Sequence, residues 1–516
     1  MVRILLALLS GIALGLAFEP VAVVALLPIS LAVLLWCVHR QGAKRGALLG
    51  LLFGLGFMLT LLFWLRVIGI DAWLALSGFE ALYFAVAGTG LALVSRLRLW
   101  PLWSALVWLA VETVRGAWPM SGLTWGRVSF ATIDTPFERW FPWIGASGVS
   151  LLVVLCSGIL LWCCLQRVKR RQVLAGGVLG GTVLAVVVPW FIPIHATSDQ
   201  LLTVAVVQGN VPGNGDDLLA HYREVTASHM TATQELADKV AAGEEPRPDF
   251  VIWPENSTAV DPFRDAQTAQ MLTTTSSMID VPILVGAIAD APDDEHVLNQ
   301  GIVYDPVTGA GDRYTKHHPV PFGEYIPYRS RFGTENFGRL ALVPRDMLSG
   351  TGVDPLRIDG VKVADVICFD VAYDDTITAQ VRNGAEMVAV QTSNAMFIHT
   401  GQIEQQFAIS RLRALETGRT VVVAAINGRS GVIGPDGNII SAIEPRTRDV
   451  LVQEVQLASG TPPAMVVGPW LGRLAVPLAL GAAFHPLLSY RLRKKKASGT
   501  STTESPETAV EQGESA

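Results

Sequence analysis

The sequence predicts an α-helical membrane bundle of about eight transmembrane helices, joined to an α/β domain in which two sheets are covered by helices on their outer faces. Two observations lead to this prediction. Long apolar runs fill residues 1–195 and 464–490, and most of them approach the roughly 20 residues that a helix needs to cross a bilayer. Between them, residues 196–463 alternate short β-branched runs with amphipathic segments, which is typical of an α/β domain.

The apolar runs predict seven helices before the α/β domain and one after it. A mean hydropathy of +0.40 with 16% charged residues is also typical of a membrane protein. The expected domains are a seven-helix bundle at 1–195, the α/β domain at 196–463, a last transmembrane helix at 464–490, and a basic anchor with a disordered tail at 491–516. The expected helices cover residues 3–18, 21–38, 46–66, 73–95, 100–115, 144–166, 174–194 and 467–489.

Basic residues occur in every second loop between the predicted helices. Cytoplasmic loops are enriched in lysine and arginine, so we expect both termini in the cytoplasm and residues 195–466 on the outer face of a membrane. The formal net charge of -6 gives no indication of nucleic-acid binding. The basic residues are Arg3, Arg40, Lys44, Arg45, Arg96, Arg98, Arg167, Lys169, Arg170, Arg171, Arg491, Arg493, Lys494, Lys495 and Lys496.

Two long loops lie on the predicted outer side. The loop at 116–143 is rich in Trp and Phe, which indicates either an aromatic belt at the membrane interface or an apolar wall of an active site. The loop at 325–358 mixes aromatic and arginine side chains. That mixture suits a mobile lid at the membrane surface, and a plain structural loop is the alternative.

The α/β domain is expected to contain eight strands and four helices. Each strand is a short apolar run, and each helix is an amphipathic segment between two of them. The expected helices lie near 217–242, 263–278, 375–384 and 402–418. The expected strands cover 202–207, 249–253, 282–287, 301–304, 361–367, 387–391, 421–425 and 431–433.

Cys368 is the only cysteine outside the long apolar runs, which hold Cys37, Cys156, Cys163 and Cys164. It follows the predicted strand 361–367 in a polar segment, where a thiol can be deprotonated and used as a nucleophile. When Cys368 is considered alone, the alternative interpretation is that it is an inert cysteine of the core. No cysteine pair has the spacing of a metal site, and no disulfide framework is indicated.

Two further segments place reactive groups beyond predicted strands. Glu255 follows the strand 249–253, and Lys316 begins a run of polar and aromatic residues that reaches 327. A carboxylate beside a thiol can accept its proton, and an ammonium can stabilise both a thiolate and a developing oxyanion. Glu255, Lys316 and Cys368 are therefore the candidate base, cation and nucleophile.

Together these segments resemble the nitrilase (carbon–nitrogen hydrolase) superfamily, whose members use a Glu, Lys, Cys triad. With seven helices before the domain and one after it, residues 1–490 resemble the bacterial apolipoprotein N-acyltransferases. The resemblance implies a nitrilase-like αββα sandwich and a place in the bacterial cell membrane. The matching motifs are Gln208-Gly209-Asn210-Val211-Pro212, Trp253-Pro254-Glu255, Lys316 with Pro321-Phe322-Gly323-Glu324-Tyr325-Ile326-Pro327, and Cys368.

The resemblance implies acyl transfer in two steps. Glu255 deprotonates Cys368, whose thiolate takes an acyl group from a phospholipid as a thioester. The α-amine of the N-terminal diacylglyceryl-cysteine of an apolipoprotein then receives that group as an amide. No cofactor is implied. In some actinobacterial relatives a similar domain partners a polyprenyl-phosphate mannosyltransferase, and the resemblance therefore implies such an enzyme as a possible partner. A membrane-bound amidase and a catalytically inactive scaffold for a partner membrane enzyme stay open as alternatives.

The resemblance also implies supporting or substrate-binding roles for Glu324, Asp370, Gln208, Asn210 and Asn394, with Glu324 orienting Lys316 or Glu255. Three departures from the family pattern bear on substrate preference: Asp370 in place of Glu, Ala395-Met396-Phe397 after Asn394, and Gly213-Asn214-Gly215 in place of a segment with Trp. No metal site is expected, because the adjacent side chains of His317 and His318 should diverge.

Overall fold

The computed structural model describes residues 1–166, 168–192, 200–213, 221–293, 295–332 and 343–499, with the backbone alone for Phe332 and for 486–499. The helix at the C-terminal end runs to Gly499 and so includes the basic anchor. The expected disordered tail beyond it lies outside the described residues. The middle of the expected lid, at 333–342, also lies outside them.

A helix occupies each of the eight expected positions of the bundle. Five of the described helices are long and apolar enough to cross a membrane: Ala43–Leu61, Ile70–Val94, Glu138–Cys164, Lys169–Phe191 and Pro463–His485. The first two helices are apolar but shorter. The helices are α1 (Val2–Gly15), α2 (Leu26–Val38), α3 (Ala43–Leu61), α4 (Ile70–Val94), α5 (Trp100–Arg115), α6 (Phe141–Cys164), α7 (Lys169–Val187) and α13 (Pro463–Gly499).

The α/β domain contains two six-stranded sheets. One has the order β12-β1-β2-β3-β4-β5 and the other β11-β10-β9-β8-β7-β6. The strands are β1 (Leu201–Gln208), β2 (Phe250–Ile252), β3 (Ile283–Asp290), β4 (Val297–Asp305), β5 (Gly309–Thr315), β6 (Leu356–Ile358), β7 (Val361–Ile367), β8 (Met387–Thr392), β9 (Val421–Ala425), β10 (Gly431–Ile433), β11 (Ile439–Ala442) and β12 (Asp449–Gln456). The helices are α8 (Tyr222–Ala241), α9 (Ala266–Ile279), α10 (Arg329–Phe332), α11 (Asp374–Arg382) and α12 (Gln402–Thr417).

The sheets face each other and carry helices on their outer faces, which confirms the expected αββα sandwich. Alternate residues of β1 and β7, such as Val204 and Val363, form the dry layer between the sheets. The outer face of the first sheet packs on α8 and α9, where Leu236 and Leu272 are buried. On the second sheet, α11 and α12 share one apolar cluster with the membrane bundle. The bundle therefore covers one outer layer of the sandwich.

Four strands were not expected from the sequence: β5, β6, β11 and β12. They are short or largely polar and lie at or next to the sheet edges, where one side of the strand faces solvent and the apolar alternation is weak. The prediction that 325–358 is one continuous loop was wrong, because it contains α10 and β6.

Candidate active site

The candidate residues lie where parallel strands end. Strands β1, β2 and β3 run parallel, as do β7, β8 and β9, so their carboxyl ends meet at one edge of each sheet. Glu255 follows β2 and Cys368 follows β7. Cys368 opens a short 3₁₀ helix, Cys368–Ala372, with a φ of 52°. This left-handed backbone is rare for a non-glycine residue and is found most often at functional sites.

Glu255 is buried, and its carboxylate accepts three hydrogen bonds. Oε1 accepts from Asn299 Nδ2 at 2.8 Å and from Lys316 Nζ at 3.2 Å. Oε2 accepts from the backbone N–H of Ser393 at 2.7 Å. The base segment also lies close to β3, because a Cβ on Gly286 would approach Glu255 Cα to 2.6 Å. The carboxylate is thus fixed by three donors from three separate segments.

Lys316 is fully buried between two carboxylates. Its Nζ donates to Glu324 Oε1 at 2.7 Å and to Glu255 Oε1 at 3.2 Å. Burial alone would lower the pKa of Lys316, but the charges of Glu255 and Glu324 outweigh that effect and raise it well above its ordinary value. Burial also raises the pKa of Glu324, against the influence of Lys316. Lys316 therefore keeps its positive charge in the interior.

The side chain of Cys368 is only partly exposed, and it lies close enough to Glu255 and Lys316 for their charges to act on its thiol. Burial and the negative charge of Glu255 raise the pKa of its thiol to about 12, although Lys316 and a hydrogen bond with Thr392 act to lower it. The resting side chain is therefore a neutral thiol. A nucleophilic role then requires a base at the moment of attack, and Glu255 is a carboxylate near enough to affect the thiol electrostatically.

Asp370 is fully buried beneath the segment that carries Lys316. Its Oδ1 accepts from the backbone N–H of His318 at 2.8 Å. Its Oδ2 accepts from the N–H of His317 at 3.1 Å and from the Tyr314 hydroxyl at 3.0 Å. Asp370 thus holds both ends of a short stretch around Lys316, and this contact supports a positioning role rather than contact with substrate.

The other three residues with expected supporting roles, Gln208, Asn210 and Asn394, donate hydrogen bonds to other residues of the protein. Gln208 Nε2 donates to the carbonyl oxygens of Glu444 and Thr447, and Asn210 Nδ2 donates to the carbonyl of Arg446. Gln208 and Asn210 thus fix the segment at 444–447. Asn394 Nδ2 donates to Gln402 and Gln406, at 2.9 and 2.8 Å, in the first turns of α12.

Comparison with known proteins agrees with this fold. The model of the apolipoprotein N-acyltransferase N-terminal domain matches residues 10–159, and that of carbon-nitrogen hydrolase matches residues 203–462. The apolipoprotein N-acyltransferase of Mycolicibacterium smegmatis is 35% identical over 484 residues, which cover 89% of this chain and 81% of that protein.

This chain belongs to the apolipoprotein N-acyltransferase family. The member from Ralstonia nicotianae is 31% identical over 529 residues, covering 95% of this chain and 94% of its own. Among solved structures, a carbon-nitrogen hydrolase from Helicobacter pylori G27 matches with a TM-score of 0.37 at 14% identity, covering 53% of this chain and 92% of that one. The family and the long apolar helices make the chain a bacterial membrane protein.

Two contacts of this family member's site were not anticipated from the sequence. Asn299, on β4, and the backbone N–H of Ser393, after β8, both hold the base. Neither lies near Glu255 in the sequence. A weak signal for Asn299 was available, since a polar residue within an otherwise apolar strand is usually hydrogen-bonded there.

The aromatic loop at 116–143 reaches the nucleophile segment. Trp125 is buried and stacks on Phe369, the residue after Cys368, with ring centroids 6.1 Å apart. Its indole N–H donates to Gln405 Oε1 on α12 at 2.7 Å. Trp64, from the 3₁₀ turn after α3, donates to the same oxygen at 3.1 Å. These contacts favour the interpretation of this loop as a wall of the site.

His317 and His318 do not diverge as expected. His318 Nε2 lies 2.9 Å from Asp375 Oδ1, and His317 Nε2 lies 3.9 Å from Asp375 Oδ2. Possible metal-ligand atoms of the three residues lie within 4.8 Å of one another. The rings converge because His318 stacks on Tyr373 at 3.7 Å and His317 Nδ1 bonds the carbonyl of Gly350. These contacts, made within the protein, set the geometry of the cluster, and the expectation that this segment holds no metal stays a prediction.

Proposed function

We propose that this protein transfers a fatty acyl group from a membrane phospholipid, through a thioester on Cys368, to the α-amine of the N-terminal diacylglyceryl-cysteine of apolipoproteins. The observation that carries the proposal is the buried arrangement of Glu255 and Lys316 beside Cys368, in a chain of the apolipoprotein N-acyltransferase family. Glu255, Lys316 and Cys368 act as base, oxyanion-stabilising cation and nucleophile.

The first half-reaction forms the thioester. Cys368 Sγ attacks the ester carbonyl of the phospholipid while its proton passes to Glu255. The ammonium of Lys316 stabilises the negative oxygen of the tetrahedral intermediate, as does a backbone N–H beyond Cys368. The intermediate then collapses, the C–O bond of the ester breaks, and the lysophospholipid leaves with the proton that Glu255 held. The high pKa of the thiol makes this base necessary.

The second half-reaction forms the amide. The neutral α-amine of the acceptor attacks the thioester carbonyl, and Glu255 accepts a proton from the nitrogen as the C–N bond forms. The thiolate leaves and regains a proton from Glu255, which restores the resting site. A thioester is reactive enough to acylate an amine, so the transfer needs no ATP. Division into two steps is the usual advantage of a covalent nucleophile.

The site would operate at the outer surface of the bacterial cell membrane. The bundle covers the α11 and α12 side of the sandwich through one shared apolar cluster. Trp125, in the aromatic loop between α5 and α6, also reaches Phe369 beside the nucleophile. This arrangement suits a substrate that enters from the bilayer. A polyprenyl-phosphate mannosyltransferase partner stays a prediction.

The proposal is tested by incubating the full-length enzyme with phospholipid alone and weighing the intact protein. We expect the mass to rise by one acyl group, to fall again with hydroxylamine, and to transfer to an added diacylglyceryl-cysteine peptide. Cys368→Ala and Glu255→Gln should form no adduct. Lys316→Ala should slow its formation by on the order of a hundredfold or more, as for loss of other oxyanion donors.

Cys164→Ala is the matched control, because Cys164 is an exposed cysteine of the membrane bundle, remote from the proposed chemistry in the sequence. It should acquire the acyl group at the wild-type rate. Undiminished turnover by Cys368→Ala would contradict the proposal.

A further inference from the structure

Asp365 is a carboxyl group enclosed between the two sheets, three residues before Cys368. It lies on the inner face of β7 with Val363 and Ile367, and it is fully buried. The opposing strand β4 has a glycine at this point, and a Cβ on Gly301 would lie 1.8 Å from Asp365 Oδ2. Any side chain at position 301 would therefore collide with the carboxyl group of Asp365.

Gln391, on the neighbouring strand β8, presents a second acceptor to the same space. The same Cβ on Gly301 would lie 2.6 Å from Gln391 Oε1, so this oxygen and Asp365 Oδ2 are at most about 4.4 Å apart. Among the described residues, no donor meets hydrogen-bond geometry at either oxygen of Asp365 or at Gln391 Oε1, although the backbone N–H of Val366 is close enough to Asp365 to favour its charged form. Two buried acceptors that face each other are unfavourable unless one of them carries a proton.

The orientation of the Gln391 amide is fixed from its other side. Gln391 Nε2 donates to the carbonyl oxygen of Trp253 at 2.5 Å. An inverted amide would set its oxygen against that carbonyl and lose the bond, so Oε1 must point away from Trp253 and towards Asp365. The missing donor therefore has to come from Asp365.

We propose that Asp365 is held as a neutral carboxylic acid that donates a hydrogen bond to Gln391 Oε1, and that this bond positions Glu255 relative to Cys368. The connection from one catalytic residue to the other is short. Asp365 precedes Cys368 by three residues, Gln391 bonds both Asp365 and Trp253 in this proposal, and Trp253 precedes Glu255 by two residues. Asp365 is then a positioning residue for the acyl transfer, and this role rests on the function proposed above.

The electrostatic surroundings agree with a neutral acid. Among the described residues, the titratable groups that interact electrostatically with Asp365 are Asp370, Glu255 and Tyr314, and none of these three supplies a positive charge. Burial raises the pKa of Asp365 well above its ordinary value, and the charges of Asp370 and Glu255 raise it further, while the N–H of Val366 acts in the opposite direction.

The proton can be observed directly by infrared spectroscopy of the full-length enzyme in lipid nanodiscs at neutral pH. A carboxylic acid has a C=O stretching band that an ionised carboxylate lacks. The difference spectrum between wild type and Asp365→Asn should show the loss of one such band. Asp359→Asn is the matched control, an exposed aspartate in the turn before the same strand, and it should lose none. A difference spectrum without the band would overturn the proposal.

The positioning role is read from the rate of acyl-adduct formation. Asp365→Asn keeps a donor towards Gln391 and should retain the rate within about threefold, whereas the isosteric Asp365→Leu should lose on the order of a hundredfold. Equal rates for the two variants would overturn the role. If Asp365→Leu does not fold, the test depends on Asp365→Asn. Loss of activity in an Asp365→Asn variant that retains its fold would contradict the positioning role. The infrared band needs no substrate, so failure of the acyl-transfer proposal would leave that result intact.

Discussion

At the scale of single residues, the reactivity of Glu255 depends on where its lone pairs point. Both oxygens are engaged by Asn299, Lys316 and the N–H of Ser393. These donors leave the carboxylate in one orientation beside Cys368. The consequence is that residues outside the triad should affect the rate.

Asn299→Ala removes one donor to a buried carboxylate and should slow acyl-adduct formation by roughly ten- to a hundredfold, since a hydrogen bond to a charged group contributes about 1.5–3 kcal/mol. Mass spectrometry of the adduct over time measures this rate. Asn383→Ala is the control, because Asn383 is exposed and bonds Val353 and Asp354 instead. A wild-type rate in a folded Asn299→Ala variant would show that this hydrogen bond does not contribute to the rate.

The charge state of Cys368 gives a prediction about pH. Because the pKa of the thiol is raised to about 12, the thiol form dominates at every lower pH, and the thiolate appears only as the pH approaches that value. The ultraviolet thiolate absorbance, taken as wild type minus Cys368→Ser, should stay absent up to about pH 10. Glu255→Gln removes a negative charge and should move the onset to lower pH. A thiolate midpoint near neutrality would disprove this assignment.

At the scale of elements, a largely buried cluster of charges joins the bundle to the α/β domain. Asp374, at the start of α11, accepts from Arg127 of the aromatic loop at 2.7 Å and from Arg413 of α12 at 2.9 Å. Glu416 bonds Arg413 and accepts from the N–H of Ala146 on α6 at 2.8 Å. Because α11 follows the Cys368–Ala372 turn, this junction fixes the nucleophile segment against the bundle.

Asp374→Asn should destabilise the protein by roughly 3 kcal/mol, because it removes the carboxylate that the two buried guanidinium groups share and leaves Arg413 with Glu416 alone. Burial alone would raise the pKa of Asp374, but Arg127 and Arg413 lower it to about 2. The stabilisation is therefore present above the ordinary aspartate pKa and is lost as the pH falls towards 2. Thermal unfolding in detergent measures the change.

Asp134→Asn is the comparison for this junction. Asp134 also pairs with α12, through Arg411 at 2.8 Å, but its side chain is 66% exposed. The expected loss is below about 1 kcal/mol, as for other exposed ion pairs. Equal unfolding temperatures for the two variants would show that the buried cluster does not stabilise the junction.

At the scale of the whole molecule, the basic loops predict the side of the membrane on which the α/β domain lies. The clustering of Lys and Arg in alternate loops predicts cytoplasmic termini and an outer catalytic domain. A reporter enzyme that requires export should be active when fused at position 300 and inactive at 505. The reverse pattern would contradict both the orientation and the access of the site to lipoproteins.

The sequence alone determined most of the elements and the candidate triad. Helix positions follow from the length of each apolar run, and most strands follow from short β-branched runs, since both signals are local in the chain. Glu255 and Cys368 could be placed after strands for the same reason. The edge strands β5, β6, β11 and β12 could not, because their sides towards solvent weaken the apolar pattern.

Only the tertiary structure decided which side chains meet. Asn299 reaches Glu255 across 44 residues, Gln391 reaches Trp253 across 138, and Trp64 reaches Gln405 across 341. His317 and His318 converge on Asp375 because neighbouring rings and carbonyls orient them. Contacts of this kind depend on strand order, register and rotamer, which are set by the packing of the whole chain and leave no periodic signal in the sequence around each residue.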